Sequence, residues 1–400
     1  MKLKNEGCTG CEACVSRCPF GAVEMEANEK GFFYPKILEE KCTECGLCER
    51  ICPIEKPLGR GKFTQEVYSC WVRDSKLRLE STSGGMFTAL AEYVLKEGGA
   101  VFGAAFDEGF CVEHICMENR KELKKARGAK YVQSRTKDAF QKAEELLKQG
   151  RKVLYTGTPC QIDGLYAYLG KEYDELLTVD LICHGVPSPA VFQSYLKEIR
   201  EKYKAEITSV RFRYKKPSWS LYSMKIDFQG RKPYICSKFK DPYLRGVGKN
   251  LFQREVCFSC KYASTKRVGD LTIADSWRYR AYERESRNDQ KGVSLVIVNS
   301  PKGKQAFGKI RNGLFVKKQS IEYAVDGNPG LKAPWPKHPS SEAFYRDFLA
   351  GKSWSELGRT YFPYHPPGVK ERCLRFAENY GHMVPLSVIR FLKGIQNRKV

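Results

Sequence analysis

The sequence predicts an α+β and α/β chain, in which a small cysteine-built front module precedes a mixed α/β body. The first observation behind this is a duplicated cysteine run. Cys8-x2-Cys11-x2-Cys14-x3-Cys18-Pro19 recurs 34 residues later as Cys42-x2-Cys45-x2-Cys48-x3-Cys52-Pro53. The second is the change of text at Val67, from where strand-like and helix-like segments alternate. The third is length: 400 residues exceed what one core serves, so two or three domains are expected. The boundaries drawn are 1–56 for the front module, 57–66 for a linker that carries Pro, Gly and charge without apolar periodicity, 67–150 and 151–320 for two parts of the body, and 321–400 for a Pro-rich segment with a helical basic tail.

Each cysteine run offers three thiolates on a tight loop and a fourth beyond it, which is the ligand supply of a cubane iron–sulfur cluster. In the bacterial two-cluster ferredoxin arrangement the fourth cysteine serves the other cluster. Cys8, Cys11, Cys14 and Cys52 are therefore assigned to one [4Fe-4S] cluster, and Cys42, Cys45, Cys48 and Cys18 to a second. The crossed ligation ties together a unit too small to hold a core by itself, so metal binding supplies much of its folding free energy. A pair of zinc sites gives no reason for the exact second copy, and a disulfide framework does not suit a chain without a secretion signal. Between the runs, Val23 to Ala27 and Phe32 to Ile37 read as a hairpin turning at Asn28-Glu29-Lys30-Gly31.

In the body, Tyr68 to Val72 reads as a strand, Ser81-Thr82-Ser83-Gly84-Gly85 as a turn, Met86 to Glu97 as a helix and Ala100 to Phe106 as a returning strand. A strand at 152–155, the turn Thr156-Gly157-Thr158-Pro159 and a helix opening near Cys160 follow. The next strand, Leu176 to Ile182, ends at Cys183-His184-Gly185. If these strands are parallel neighbours, Cys160 and Cys183 share the C-terminal edge of the sheet, where ligands collect. Residues 201–250 carry 13 Lys and Arg against 4 Asp and Glu, with alternating segments that suit an antiparallel sheet wet on one face. The knuckle Cys257-x2-Cys260 precedes two further strands, at 270–275 and 293–299. Cys160, Cys183, Cys257 and Cys260 can close a third tetrahedral thiolate site. Zinc accepts the same set, and iron is favoured by the two clusters upstream. Cys70, Cys111, Cys116, Cys236 and Cys373 have no partner spacing and read as packing.

Lys and Arg number 69 against 46 Asp and Glu, a net charge of +23. That excess suggests an acidic partner, such as an acidic ferredoxin or another redox protein, or an anionic coenzyme. Nucleic acid is not expected, given the cysteine duplication. The N-terminus has no apolar run, and nowhere do eighteen apolar residues follow one another, so a soluble cytoplasmic protein is expected. The last twenty residues place Val384, Val388, Phe391, Leu392 and Ile395 at helical spacing. Docking on the body is the favoured reading of that helix over contact with a membrane surface.

Several ordered motifs, STSGGMFTAL (81–90), GAKYVQS (128–134), GTPCQIDGL (157–165), DLICHGVPSP (180–189) and CFSCKYASTKRVGDLTIADSW (257–277), together resemble the beta subunit of coenzyme F420-reducing hydrogenases and dehydrogenases. The resemblance spans about residues 65–320 and implies a body that binds FAD and a [4Fe-4S] cluster. It places Cys160, Cys183, Cys257 and Cys260 on that cluster, and Ser83, Gly84, Gly85 and Met86 near the flavin. Lys130, Tyr131 and Ser134 would support the ring or phosphates. His184 is a candidate proton donor; its bland reading is a strand cap. The implied function is an iron–sulfur flavoprotein oxidoreductase, moving electrons between ferredoxin or the deazaflavin coenzyme F420 and a small organic substrate. The alternative is a subunit that relays electrons to a partner enzyme. Nothing in the chain encodes a hydrogenase metal site.

Overall fold

The computed structural model describes residues 5–54, 56, 63–279 and 290–380. The basic tail at 381–400 and most of the expected linker lie outside them.

In the front module, β1 (Val23–Ala27) and β2 (Phe33–Ile37) form the expected antiparallel hairpin. Each cysteine run carries a short helix, Ala13–Arg17 and Leu47–Arg50, entered through a left-handed residue, Glu12 (φ 63°) and Gly46 (φ 70°). The module is fastened to the body. Buried Glu12 accepts from the Arg135 guanidinium (Nη2 at 3.2 Å) and from the backbone N–H groups of Thr136 (3.3 Å) and Lys137 (3.1 Å). Ser188 Oγ donates to Lys30 O at 2.6 Å, and Lys261 Nζ donates to the carbonyls of Pro53, Ile54 (3.3 Å) and Lys56 (2.9 Å). Changing Glu12 to alanine leaves Arg135 and two amides without their acceptor. The expected loss is about 3 kcal/mol of stability, read as a lower denaturant midpoint.

The body is centred on an eight-stranded mixed sheet. Its strands are β3 (Glu66–Val72), β4 (Ala100–Phe106), β5 (Val112–Met117), β6 (Val153–Gly157), β7 (Leu176–Leu181), β11 (Leu271–Asp275), β12 (Ser294–Val298) and β13 (Leu314–Gln319). The spatial order is β13-β3-β12-β11-β7-β6-β4-β5. Strands β4, β6, β7 and β11 run parallel, and β3 shares their direction because both it and β11 are antiparallel to β12. Every residue of the central strands β6 and β12 is buried, as expected where both faces are covered. A separate antiparallel sheet, β8 (Ile207–Tyr214), β9 (Ser223–Phe228) and β10 (Arg231–Ser237), accounts for the basic segment. Its inner face joins an aromatic core with Phe192, Tyr195, Tyr243, Phe252, Phe344 and Trp354.

Among the elements that escape the sequence reading, three bear on the fold's edges and core. Helix Pro189–Tyr203 is capped by Ser188, whose side chain accepts from Val191 N–H, but its polar face dilutes the apolar periodicity. Strand β5 is interrupted by polar Glu113 and His114. Strand β13 lies at the sheet edge and carries Lys317 and Lys318, the kind of charge that protects exposed edges. The packing role expected of all five unassigned cysteines holds for Cys70, which is fully buried, and fails for Cys111 and Cys373, which are exposed. Among the described residues no helix is long and apolar enough to cross a membrane.

Candidate redox site

β6 and β7 pair in parallel, joined by the helix Pro159–Leu169, so the residues that follow them meet at one edge of the sheet. The helix start is set by a capping box between Thr158 and Gln161, with Pro159 in the first turn. This places Cys160 at the helix N-terminus, with its Sγ 3.1 Å from Thr158 Oγ1. After β7, Gly185 donates its N–H to Cys183 Sγ at 3.4 Å. Gly185 has φ +96°, and a Cβ there would stand 3.2 Å from Cys257 Cβ, so the loop closes onto the knuckle only through glycine. Cys160, Cys183, Cys257 and Cys260 thus converge, close enough that a charge on one raises the others. Burial, reinforced by this crowding, pushes the thiol of Cys160 up to about 11 and that of Cys183 up to about 12. Four enclosed thiols that disfavour one another's ionisation suit a cationic centre, and backbone N–H groups near Cys257 and Cys260 already favour the thiolates.

The front-module cysteines group as their spacing predicts. Cys11 has Cys8 and Cys14 as neighbours, Cys14 has Cys8 and Cys52, and burial lifts the Cys14 thiol to about 12. Gly10 N–H donates to Cys8 Sγ at 3.4 Å, and Ala22 N–H donates to Cys18 Sγ at 3.3 Å. Cys18, Cys42, Cys45 and Cys48 line one cavity of about 340 Å³, counted to its open mouth, with Phe20, Ile37 and Leu47 as apolar walls. The donor chemistry of all three sets fits iron–sulfur clusters. Among the described residues no three His, Cys, Asp or Glu donors are grouped to hold one bare ion.

The three sets also lie in series. Cys48 neighbours both Cys14 of the first set and Cys18 of its own, while Cys11 neighbours Cys160. The approach of Cys11 to the helix that bears Cys160 needs Gly164, where a Cβ would stand 2.8 Å from Cys11 Cβ.

Beyond Cys183 the same sheet edge holds a cationic, aromatic cluster that the sequence reading names only in part. Arg213 Nη1 donates to Asp275 Oδ2 at 2.9 Å and to Tyr131 OH at 3.2 Å. Its guanidinium lies 4.2 Å from the Tyr222 ring centroid and 5.2 Å from that of Trp277. Trp219 stacks on Trp277 at 4.9 Å and donates Nε1–H to Asp275 Oδ1 at 2.8 Å. Arg213 Nε and Nη2, the side-on fork of the guanidinium, are buried without a partner among the described residues. His184 has its imidazole 4.8 Å from the Trp335 ring and feels the charges of Asp275 and Arg213. An Arg in an alternating segment and a Trp beside the knuckle motif were visible signals, but their convergence was not.

The residues expected near a flavin fall into two groups. Ser83 Oγ donates to Val293 O (2.7 Å), Gly84 N–H donates to Ser294 Oγ (2.9 Å), and Met86 is sealed in the core, so these three brace the sheet. A Cβ at Gly85 (φ +95°) would meet Val72 at 2.8 Å. The neighbouring Thr82 accepts from Ala129 N–H at 2.7 Å, which brings the 81–86 turn against the 128–134 segment. In that segment Lys130 Nζ donates to the carbonyls of Lys125 (3.0 Å) and Gly128 (3.2 Å). The residue is half-buried, and the loss of solvent around its ammonium pushes it down to about 7. Ser134 Oγ pairs with His114 Nδ1 at 2.9 Å, and burial pushes the His114 imidazole down to about 4.

Cysteine sets beside a sheet edge lined by cationic and aromatic side chains are the equipment of an iron–sulfur electron-transfer protein. Residues 67–141 match the N-terminal model, and residues 150–323 the C-terminal model, of the coenzyme F420 hydrogenase/dehydrogenase beta subunit, and the chain belongs to that family. Residues 7–56 match the 4Fe-4S dicluster domain. Relatives include the coenzyme F420-dependent sulfite reductase of Methanocaldococcus jannaschii, 26% identical over 78% of this chain and 46% of its own length. The chain therefore spans about half of that relative. Another is a subunit of the F(420)H(2) dehydrogenase of Methanosarcina mazei, 21% identical over 77% of this chain and 89% of its own. A chain of the F420-reducing [NiFe] hydrogenase complex from Methanosarcina barkeri aligns over 77% of this chain and 94% of its own, with a TM-score of 0.43 and 18% identity.

Proposed function

We propose that the chain passes electrons through three [4Fe-4S] clusters to FAD at the Arg213–Trp277 edge, for exchange with a small organic substrate or a deazaflavin coenzyme. The observation that carries this reading is the order in which the cysteine sets neighbour one another: Cys48 of the Cys18/Cys42/Cys45/Cys48 set is near enough to act on Cys14, and Cys160 of the third set is near enough to act on Cys11. FAD, when bound, would supply the conversion between one-electron and two-electron transfer. The chain's own residues would hold it in a setting that favours negative charge. Arg213 is a cation, Lys130 can take up a proton as an anionic group approaches, Asp275 is already committed to Arg213 and Trp219, and the Tyr131, Tyr222 and Trp277 rings suit a planar group. His184, exposed beside Cys183, is positioned to exchange a proton at that edge.

The charge distribution refines the partner. Residues 5–54 carry nine Glu against five Lys and Arg, so the basic excess lies in the body. By charge, an acidic ferredoxin suits the body, whereas a donor meeting the outer cysteine set would present a basic face. The relay reading also has support, because the free fork of Arg213 is shielded from solvent, as a covered cofactor would require.

Anaerobic purification followed by iron, zinc and flavin analysis tests the proposal. About twelve irons and one FAD per chain are expected from three cubanes. About eight irons with one zinc would remove the third cluster. Twelve irons without flavin would leave the relay.

A further inference from the structure

Arg254 is fully buried, and among the described residues it has no carboxylate partner. A cation withdrawn from water needs a counter-charge, and every acceptor around this one is neutral. Nε donates to Cys8 O at 2.8 Å, and Nη1 donates to Phe33 O at 3.0 Å and to Gln133 Oε1 at 3.1 Å. The guanidinium lies 4.0 Å from the Tyr34 ring centroid, and Nη2 has no partner among the described residues.

Its position in the chain explains where the counter-charge belongs. The Arg254 backbone N–H donates to Val186 O, three residues past Cys183, and its carbonyl accepts from Cys257 N–H at 2.9 Å. The main chain of Arg254 is thus part of the frame of the third cysteine set, while its side chain reaches the backbone of Cys8 in the first. Its positive charge is felt at the Cys160 thiol. The fit at Cys8 is close: a Cβ on Gly10 would stand 2.4 Å from Gln133 Nε2 and 3.2 Å from Arg254 Nη1.

We infer that Arg254 is the built-in counter-charge shared by the first and third cysteine sets, and that it raises the reduction potentials of the clusters held there. This rests on the cluster reading above. Reduction adds one negative charge to a cluster, and a fixed cation attracts that charge more strongly in a dry interior than the same cation would across water. The set around Cys42 lies on the far side of Cys14 and is expected to feel Arg254 least.

The test is an EPR-monitored redox titration of the full chain, purified anaerobically, with iron analysis alongside. Arg254→Gln keeps a donor toward the Cys8 and Phe33 carbonyls and drops the charge. The expected result is unchanged iron, with at least a tenfold fall in the reduction equilibrium constant of one or both inner clusters, about 59 mV for one electron. The outer cluster should stay within threefold of wild type, and Arg254→Lys should restore most of the shift. Should Arg254→Gln fail to hold iron, Gln133→Glu neutralises the guanidinium in place and carries the same expected fall. Inner-cluster potentials unchanged in the iron-loaded variant, or lowered as far by Arg254→Lys as by Arg254→Gln, would overturn the inference. Wild-type protein with iron for fewer than two clusters would overturn the cluster reading, and this inference with it.

Discussion

Cys257→Ser is expected to lower iron from about twelve to about eight atoms per chain, leaving the front module loaded. A serine oxygen is a hard, weakly bound ligand where the site offers soft thiolates, and Cys257 shares its enclosure with Cys160, Cys183 and Cys260. With the centre next to the Arg213 edge removed, the proposed path from the Cys42 set would end at the first set. Transfer onward to substrate should fall by more than the roughly 10- to 100-fold typical of damage around a metal site. Iron analysis, low-temperature EPR and turnover with an artificial donor measure the three consequences. Full iron content with unchanged turnover would show that Cys257 is not a ligand.

Asp180→Ala should cost about 3–5 kcal/mol, because it strands a buried cation. Asp180 is fully buried and accepts from Arg267 Nη2 (2.9 Å), Thr272 Oγ1 (2.6 Å) and the N–H groups of Val268 (3.1 Å) and Gly269 (3.0 Å). Arg267 Nη1 in turn holds the carbonyls of Tyr262 (2.9 Å) and Ser264 (3.2 Å), just after Cys260. One carboxylate thus fastens the end of β7, three residues before Cys183, to the tail of the cysteine knuckle. Loss of stability should therefore come with loss of iron from the third set, while the front module keeps its own. Asp180→Asn, which retains an acceptor, should be milder in both. Denaturant unfolding together with iron counting separates these outcomes, and an Asp180→Ala protein with a wild-type midpoint would refute the argument.

The fastening of the front module bears on both results. A ferredoxin-like unit on a free tether would meet the body in many orientations. Here the buried Glu12 and Arg254 and the partly exposed Lys261 fix it through polar contacts, and Gly164 admits Cys11 against the helix that bears Cys160. The spacing between cysteine sets is then a property of the fold rather than of diffusion.

The local motifs carried much of this in advance. The duplicated spacing named the front-module groupings, because a cubane demands several thiolates on one short loop and the chain offers that pattern twice. The crossover from β6 to β7 followed from strand, turn and helix signals, and put Cys160 and Cys183 at one edge. The sequence by itself therefore determined the family and the sheet edge that Cys160 and Cys183 share, since each is written in residues near one another or in ordered motifs. Only the tertiary structure decided that the three sets abut, that Ser83, Gly84 and Met86 brace the sheet, and that Arg213, Asp275, Trp277 and Arg254 gather beside them. Those contacts join residues up to 246 positions apart, and burial and charge pairing at such separations depend on packing that no local pattern records.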